Sequence, residues 1–357
     1  MSKVHNFSAG PAILPQEVFK ACSEAVLDFN GMGMSLLEIS HRSSAFVDVM
    51  EEARSLVKEL LGAGDEYEVL FLGGGASNQF LMVAYNFLGA DQTAVYTNTG
   101  AWAKAAIKEA KLFGNVNVIA SSEDKNFSYI PKGFKVPADS AYFHSTSNNT
   151  IFGTQIKEFT KVDCLNICDM SSDIFSREFN VNDFDLIYAG AQKNMGPAGT
   201  TMVIVRKDIL GKLDRKIPSM MDYQIHISKD SMYNTPPVFP IFASLQTIKW
   251  VKNNGGVAAM EKRNQEKADL IYGEIDSNPL FEGTAAKEDR SNMNVCFKIT
   301  DPSLEEAFLN FTKENNCNGL KGHRSVGGFR ASIYNALDID SVKVLTELMK
   351  TFALQKA

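Results

Sequence analysis

The chain has 357 residues, a length that favours two domains, or one large domain with a smaller appendage, over a single small core. With 45% hydrophobic and 22% charged residues it is not a mainly disordered chain, and its net charge of −6 argues against broad nucleic-acid binding. Because no apolar run approaches the roughly 18 residues of a membrane span and no secretory signal opens the chain, we expect a cytoplasmic protein without membrane segments.

The N-terminal region begins with a predicted extended arm, residues 1–15. Gly10-Pro11 and Pro15 prevent an early helix there. Helical patterns follow over residues 16–30 and 45–61, and the glycine-rich stretch between them ends the first helix.

From residue 68 the pattern alternates between strands and helices. Seven short apolar stretches predict strands at residues 68–72, 93–96, 116–120, 140–144, 165–168, 186–188 and 201–205. Helices are predicted between them, for example up to residue 88 and over residues 101–113. This alternation predicts an α/β fold, with a large domain built on a mostly parallel seven-stranded sheet.

The last third of the chain has a different pattern. A long helical region covers residues 241–276 and is broken near residues 253–256. A strand at 293–300, a helix at 304–315, a glycine-rich basic stretch, a strand at 329–334 and a helix from 339 follow. We therefore predict an N-terminal arm (1–15), a large domain (16–260) and a smaller C-terminal α+β domain (261–357).

Lys193 and Asp169 are the leading catalytic candidates. Lys193 lies in the glycine-rich turn 190–199, just beyond one predicted strand, and Asp169 directly follows the preceding one. In open α/β sheets, ligand groups gather at the carboxyl ends of the strands. A desolvated lysine that forms an imine, beside a carboxylate, suits pyridoxal phosphate, because the carboxylate keeps the pyridine nitrogen protonated. A surface lysine and a helix-capping aspartate are the alternatives.

Two further features suit a phosphorylated cofactor with a flat ring. The turn at residues 73–78 joins a strand to a helix and offers backbone N–H groups to an anion, although it matches neither the Walker A nor the dinucleotide pattern. Trp102, near the start of the next helix, either stacks on a cofactor ring or packs in the core.

The sequence His-Arg-Ser occurs twice, at residues 41–43 and 323–325. Arginine forks match the oxygens of phosphates and carboxylates, and histidine adds another donor. In an acidic protein this indicates a local anion site rather than exposed surface arginines. Arg330 starts a predicted strand soon after the second pair and is a candidate for a further carboxylate.

The cysteine pattern predicts neither a disulfide framework nor a metal site. The five cysteines are Cys22, Cys164, Cys168, Cys296 and Cys317, an odd number without CxxC spacing. Cys317 lies in a stretch that looks flexible and is a candidate reactive thiol, but no neighbouring base is evident.

Several segments in the same order closely resemble the phosphoserine aminotransferase family of fold-type I, class-V enzymes that depend on pyridoxal 5'-phosphate. The matching segments are residues 6–12, 40–42, 190–199, 234–237 and 322–332, which together span nearly the whole chain. One departure concerns the glycine turn, where some family members have an arginine and this chain has Ala76 and Ser77. Cofactor phosphate binding is therefore expected to depend more on backbone N–H groups, the Ser77 hydroxyl and the helix end.

The resemblance implies a role for each candidate residue. Lys193 would be the Schiff-base lysine, Asp169 would bind the pyridine nitrogen and Trp102 would stack on the ring. The remaining implied cofactor contacts are Ala76, Ser77, Thr150, Gln192, Asn234 and Thr235, and the implied substrate contacts are His41, Arg42, His323, Arg324 and Arg330. Asn234 and Thr235 would reach the cofactor phosphate of a neighbouring subunit, so a homodimer with shared active sites is expected.

The resemblance also implies a reaction, a ping-pong transamination. L-Glutamate would give 2-oxoglutarate, and 3-phosphohydroxypyruvate would become O-phospho-L-serine, a step of serine biosynthesis. Whether the phosphorylated threonine precursor of pyridoxine biosynthesis is also a substrate stays open. The alternatives are another fold-type I enzyme, such as a cysteine desulfurase that uses Cys317, and a phosphometabolite-binding protein without catalysis.

Overall fold

The computed structural model describes residues 3–356 and shows alternating strands and helices followed by a separate C-terminal group. The helices are α1 (Gln16–Leu27), α2 (Ser44–Leu61), α3 (Gly75–Phe87), α4 (Ala101–Ala110), α5 (Tyr223–Ile227), α6 (Val238–Asn253), α7 (Gly256–Ser277), α8 (Glu305–Glu314) and α9 (Ile339–Lys356). The strands are β1 (His5–Asn6), β2 (Tyr67–Leu72), β3 (Thr93–Asn98), β4 (Asn115–Ser121), β5 (Tyr142–Thr146), β6 (Asn148–Asn149), β7 (Thr154–Gln155), β8 (Leu165–Asp169), β9 (Leu186–Gly190), β10 (Thr201–Arg206), β11 (Phe281–Gly283), β12 (Asn294–Ile299), β13 (Cys317–Asn318) and β14 (Phe329–Ser332).

The central sheet has seven strands in the order β2-β10-β9-β8-β5-β3-β4. Strand β10 is antiparallel to both of its neighbours, and the other strands run in one direction. The predicted α/β fold with a mostly parallel sheet is confirmed, and these seven strands are the ones that the apolar stretches predicted. The carboxyl ends of β2, β3, β5, β8 and β9 therefore meet at one edge, where functional groups are expected.

Helices cover both faces of this sheet because its strands are apolar on both sides. On one face α3 and α4 pack with side chains such as Phe80, Ile107 and Tyr188. On the other face α1, α2 and α6 contribute side chains such as Phe46 and Ile241. Helices α3 and α4 each follow a strand that ends at the carboxyl edge, so both begin at that edge.

The C-terminal part has a core of its own. Helices α7, α8 and α9 pack on an antiparallel sheet of order β11-β12-β14, with buried side chains that include Ile271, Phe297 and Leu345. The N-terminal arm joins this group, because β1 pairs in parallel with β13 and Phe7 lies in the same core. These separate cores agree with a large and a smaller domain. The boundaries 1–15, 16–260 and 261–357 stay a prediction, and residue 260 lies within α7.

A few boundaries differ from those predicted. Helix α1 ends at Leu27 rather than at residue 30, because Asp28 is extended and Asn30 has a left-handed φ of 55°. The short strands β1, β6, β7, β11 and β13 were not predicted, because two or three residues give no measurable alternation. Among residues 3–356, no helix combines the length and apolar character needed to span a membrane.

Candidate active site

The two catalytic candidates lie on neighbouring strands at the carboxyl edge of the sheet. Asp169 is the last residue of β8, and Lys193 lies in the turn that joins β9 to β10. Strands β8 and β9 are paired in parallel, with Asp169 opposite Tyr188. Lys193 lies beyond its strand, as predicted, whereas Asp169 is the last residue of its strand rather than the residue after it.

The amine of Lys193 is held in place by its surroundings. Its Nζ donates a hydrogen bond of 2.8 Å to Oγ1 of Thr150 and lies 5.6 Å from the centre of the Trp102 ring. Burial lowers the pKa of the Lys193 ammonium to about 8, while the nearby Asp169 carboxylate acts in the opposite direction. A fraction of neutral amine is therefore present near neutral pH, and only the neutral amine is nucleophilic.

Asp169 is buried, and only 4% of the residue is exposed. Its Oδ1 accepts a hydrogen bond of 2.9 Å from the backbone N–H of Ser171. Burial raises the pKa of its carboxyl group, and the charge of Lys193 is the largest opposing effect. Within residues 3–356, no cationic side chain forms an ion pair with Asp169. A buried carboxylate without such a partner suits a ligand that brings a cationic N–H group.

Trp102 offers a flat surface beside the lysine. It lies in the first turn of α4 and is 39% exposed, unlike the fully buried aromatic side chains of the core. Of the two positions left open by the sequence, the structure therefore places it at the site rather than in the core. Gly100, just before α4, lets the chain approach closely, since a Cβ there would lie 2.8 Å from Oδ1 of Asn149. The exposed indole, the amine and the buried carboxylate together fit the ring of pyridoxal phosphate.

The glycine turn after β2 lies at the same edge of the sheet. Gly74 has a φ of 93°, which suits glycine, and it directly precedes helix α3. Ser77 is exposed in the first turn of this helix, and Ala76 is half-buried against the core. The exposed serine hydroxyl and the free N–H groups of the helix end fit a phosphate group.

Arg330, in β14, reaches the same site from the C-terminal part of the chain. Its Nη1 donates a hydrogen bond of 3.1 Å to the carbonyl oxygen of Thr150, and its buried Nε has no partner within the described residues. His323 is half-buried. Burial, followed by the charges of the nearby Arg330 and Arg324, lowers its pKa. Arg324 itself is exposed. Arg330 and the second His-Arg pair therefore form one cationic region.

The other four candidates form no hydrogen bond or ion pair with Lys193 within the described part of the same chain. Arg42, Asn234 and Thr235 are exposed, and His41 is half-buried with a buried Nε2 that lacks a partner within the described residues. Between residues 3 and 356, no hydrogen bond or ion pair joins any of the four to Lys193, Asp169 or Arg330.

The N-terminal arm also contacts the lysine turn, and the sequence did not assign it to the site. The N–H of Ala12 donates a hydrogen bond of 2.9 Å to the carbonyl oxygen of the half-buried Gln192. A Cβ on Gly10 would lie 3.5 Å from Cγ of Lys193, so the arm packs against the lysine side chain. The only sequence signal was the Gly-Pro pair, which predicts an extended arm and not its position.

Comparison with known proteins agrees with this geometry. A model of the family described as aminotransferase class-V matches residues 4–345. A phosphoserine aminotransferase of Flavobacterium johnsoniae is 61% identical over 349 residues, which cover 98% of each chain. The solved structure of phosphoserine aminotransferase from Bacillus circulans subsp. alkalophilus has a TM-score of 0.97 and 43% identity, covering 99% of both chains. That of the pyridoxal-phosphate-bound phosphoserine aminotransferase from Trichomonas vaginalis has a TM-score of 0.92 and 37% identity, covering 98% of this chain and all of that one.

Proposed function

We propose a reaction for this chain, which belongs to the class-V aminotransferase family: it transfers the amino group of L-glutamate to 3-phosphohydroxypyruvate. The products are 2-oxoglutarate and O-phospho-L-serine, so nitrogen moves between two carbon skeletons without net oxidation. The observation that carries this proposal is the amine of Lys193, which donates a hydrogen bond to Thr150 and lies near the exposed Trp102 ring and the buried Asp169.

The proposed cofactor site uses residues from four strand ends. Lys193 would attach pyridoxal 5'-phosphate covalently, Trp102 would cover its ring and Asp169 would face its ring nitrogen. When bound, this cofactor withdraws electrons and so weakens the Cα–H bond of an attached amino acid. Ser77 and the N–H groups at the start of α3 are placed to bind its phosphate.

Lys193 is the proposed acid and base. With a pKa of about 8, Nζ can accept the proton from the substrate Cα and later return it, because the neutral and charged forms are close in free energy near neutral pH. Thr150 accepts a hydrogen bond from Nζ and so orients it. Asp169 would stabilise a positive charge on the ring nitrogen, since it is buried and forms no ion pair within the described residues.

The cationic residues account for the choice of substrates. L-Glutamate and 3-phosphohydroxypyruvate each have an α-carboxylate and a second anionic group at the far end. Arg330 is the proposed ligand of the α-carboxylate, because its buried Nε is left without a partner beside Lys193. The pairs His323–Arg324 and His41–Arg42 are proposed to bind the distal phosphate or carboxylate.

A second copy of the chain is the proposed source of the missing contacts. The stretch that leads to His41 and Arg42 exposes Met32, Met34 and Leu37, with exposed fractions of 43%, 44% and 62%. Exposed apolar side chains that cluster in this way mark an interface. A homodimer would cover them and could bring His41, Arg42, Asn234 and Thr235 to the partner's site. We propose that this dimer is cytoplasmic.

The test is an assay with matched amino donors. Purified protein is mixed with pyridoxal phosphate and 2-oxoglutarate, and glutamate formation is measured with O-phospho-L-serine, L-serine and L-alanine. We expect turnover with phosphoserine, at least about 100-fold less with serine, and none for Lys193→Ala. Equal rates with serine would overturn the proposed substrate, and turnover by Lys193→Ala would overturn the role of the lysine. The same assay with the phosphorylated threonine precursor tests whether it is a second substrate.

A further inference from the structure

Asn194, the residue after the proposed catalytic lysine, has a buried side chain whose amide forms a hydrogen bond at each end. It is 5% exposed, its Nδ2 donates a hydrogen bond of 2.6 Å to the carbonyl oxygen of Ile174, and its Oδ1 accepts one of 2.9 Å from the N–H of Asn335. Both ends of the amide are therefore used within the protein. The amide therefore links the lysine turn to Ile174 and to Asn335.

The partner of Asn194 belongs to the segment that carries the proposed carboxylate ligand. Asn335 follows β14, which holds Arg330. The neighbouring Tyr334 donates a hydrogen bond of 2.8 Å from its hydroxyl to the carbonyl oxygen of Ala9. The next residue of the arm, Gly10, packs against the Lys193 side chain. Residues 333–335, which we call the junction, thus contact both Asn194 and the segment of the arm that packs against Lys193.

The junction is itself firmly held. The buried Lys267 donates hydrogen bonds of 2.8 and 2.6 Å from Nζ to the carbonyl oxygens of Ile333 and Tyr334. Asn335 also donates a hydrogen bond of 2.8 Å to the carbonyl oxygen of Phe175 and accepts one of 2.7 Å from Asn264. A rigid segment that contacts the lysine turn and continues from the strand of Arg330 can fix the position of one relative to the other.

We propose that Asn194 is a positioning residue for transamination: through Asn335 it fixes the Lys193 amine relative to Arg330. This inference rests on the proposed function, because it assumes that Arg330 binds the substrate and that Lys193 moves its proton. Misplacement of a reacting group by about 1 Å can lower a rate by about 100-fold. Loss of the Asn194 amide would release the lysine turn from the junction, while Thr150, Trp102 and Asp169 would stay in place.

The test compares Asn194→Ala with a matched control, Asn86→Ala. Asn86 is also 5% exposed and also bridges two segments, since its Nδ2 donates to the carbonyl oxygens of Met82 and Met221. It lies outside the site. Both variants lose comparable hydrogen bonds, so a general loss of stability would affect them alike.

Three quantities are measured for each variant: the melting temperature, the affinity for pyridoxal phosphate, and kcat with phosphoserine and 2-oxoglutarate. We expect both variants to melt at a lower temperature. Only Asn194→Ala should lose kcat, by about 10- to 100-fold, with cofactor affinity within about threefold of wild type. In cofactor-free protein, the pH midpoint for acylation of Lys193 should rise in Asn194→Ala, because the released amine becomes better solvated, and should not change in Asn86→Ala.

The outcomes test the positioning role of Asn194 as follows. A wild-type kcat in Asn194→Ala, or an equal loss in Asn86→Ala, would overturn the positioning role. If Asn194→Ala does not fold, Asn194→Ser and Asn335→Ala replace it, with a smaller effect expected in the same direction. If the wild-type protein does not transaminate phosphoserine, the proposed function fails, and the acylation midpoint of Lys193 still tests whether Asn194 positions the amine.

Discussion

Thr150 contacts Lys193 through its side chain, accepting a hydrogen bond of 2.8 Å from Nζ. Its carbonyl oxygen accepts a second hydrogen bond, of 3.1 Å, from Arg330. One residue therefore lies between the proposed base and the proposed carboxylate ligand. The lysine belongs to the central sheet and the arginine to the C-terminal sheet.

Replacing Thr150 with Val removes the hydroxyl and keeps the carbonyl oxygen. We expect kcat to fall by about 5- to 10-fold, as for the loss of one neutral hydrogen bond that is worth about 1 kcal/mol. Thr150→Ser keeps the hydroxyl and should retain most of the activity. Steady-state kinetics of the two variants checks this, and equal losses in both would point to packing rather than to the bond with Lys193.

Replacing Asp169 with Asn should separate activity from stability. Because burial raises the pKa of Asp169, the folded state holds its proton more strongly than the unfolded state, so the carboxylate costs stability above the folded pKa. The cofactor-free variant should therefore melt at the same or a higher temperature near pH 7. Its kcat should fall by about 100-fold or more, because the ring nitrogen loses its charged partner. A clear drop in melting temperature would mean that Asp169 stabilises the fold.

Lys267 should make stability depend on pH. Burial lowers its pKa to about 7, against 10.5 for an exposed lysine, so between these values the unfolded chain binds more protons than the folded one. Its contribution to stability then rises with pH over this window, by about 1.4 kcal/mol per pH unit. Urea unfolding of wild type and Lys267→Met, at one protein concentration, should show this difference in slope. Parallel curves for the two proteins would contradict the lowered pKa.

Two inactive variants should restore activity when they are mixed, if His41 and Arg42 act on the partner's site. Lys193→Ala and Arg42→Ala are unfolded together in equal amounts and refolded. Half of the dimers would then be mixed, each with one intact site, so about a quarter of the wild-type activity is expected. Each variant refolded alone is the control. If Arg42 acts within its own chain, no activity returns.

Replacing Cys317 with Ser should leave transamination within about twofold of wild type, as for most substitutions away from a functional site. Cys317 is only 2% exposed, and burial raises the pKa of its thiol to about 11. A buried thiol of this kind is a poor nucleophile, which argues against the cysteine desulfurase alternative. Loss of phosphoserine turnover in this variant, with an unchanged melting temperature, would revive that alternative.

The sequence by itself determined the large elements and the edge of the sheet where chemistry occurs. Strands β8 and β9 were predictable because short apolar runs end at Asp169 and shortly before Lys193, and parallel neighbours in a doubly wound sheet end together. The glycine turn and the two His-Arg pairs could be recognised because each is a short, continuous stretch of the sequence.

Only the tertiary structure decided what surrounds those residues. Thr150 and Gly10 contact Lys193, and Arg330 contacts Thr150. These residues are far apart in the chain, and such contacts leave no periodic signal. That His41 and Arg42 form no hydrogen bond with Lys193 within the described residues could not be predicted either. Periodicity reports which face of an element is buried, whereas side-chain neighbours depend on how the elements pack, because packing is a property of the whole chain.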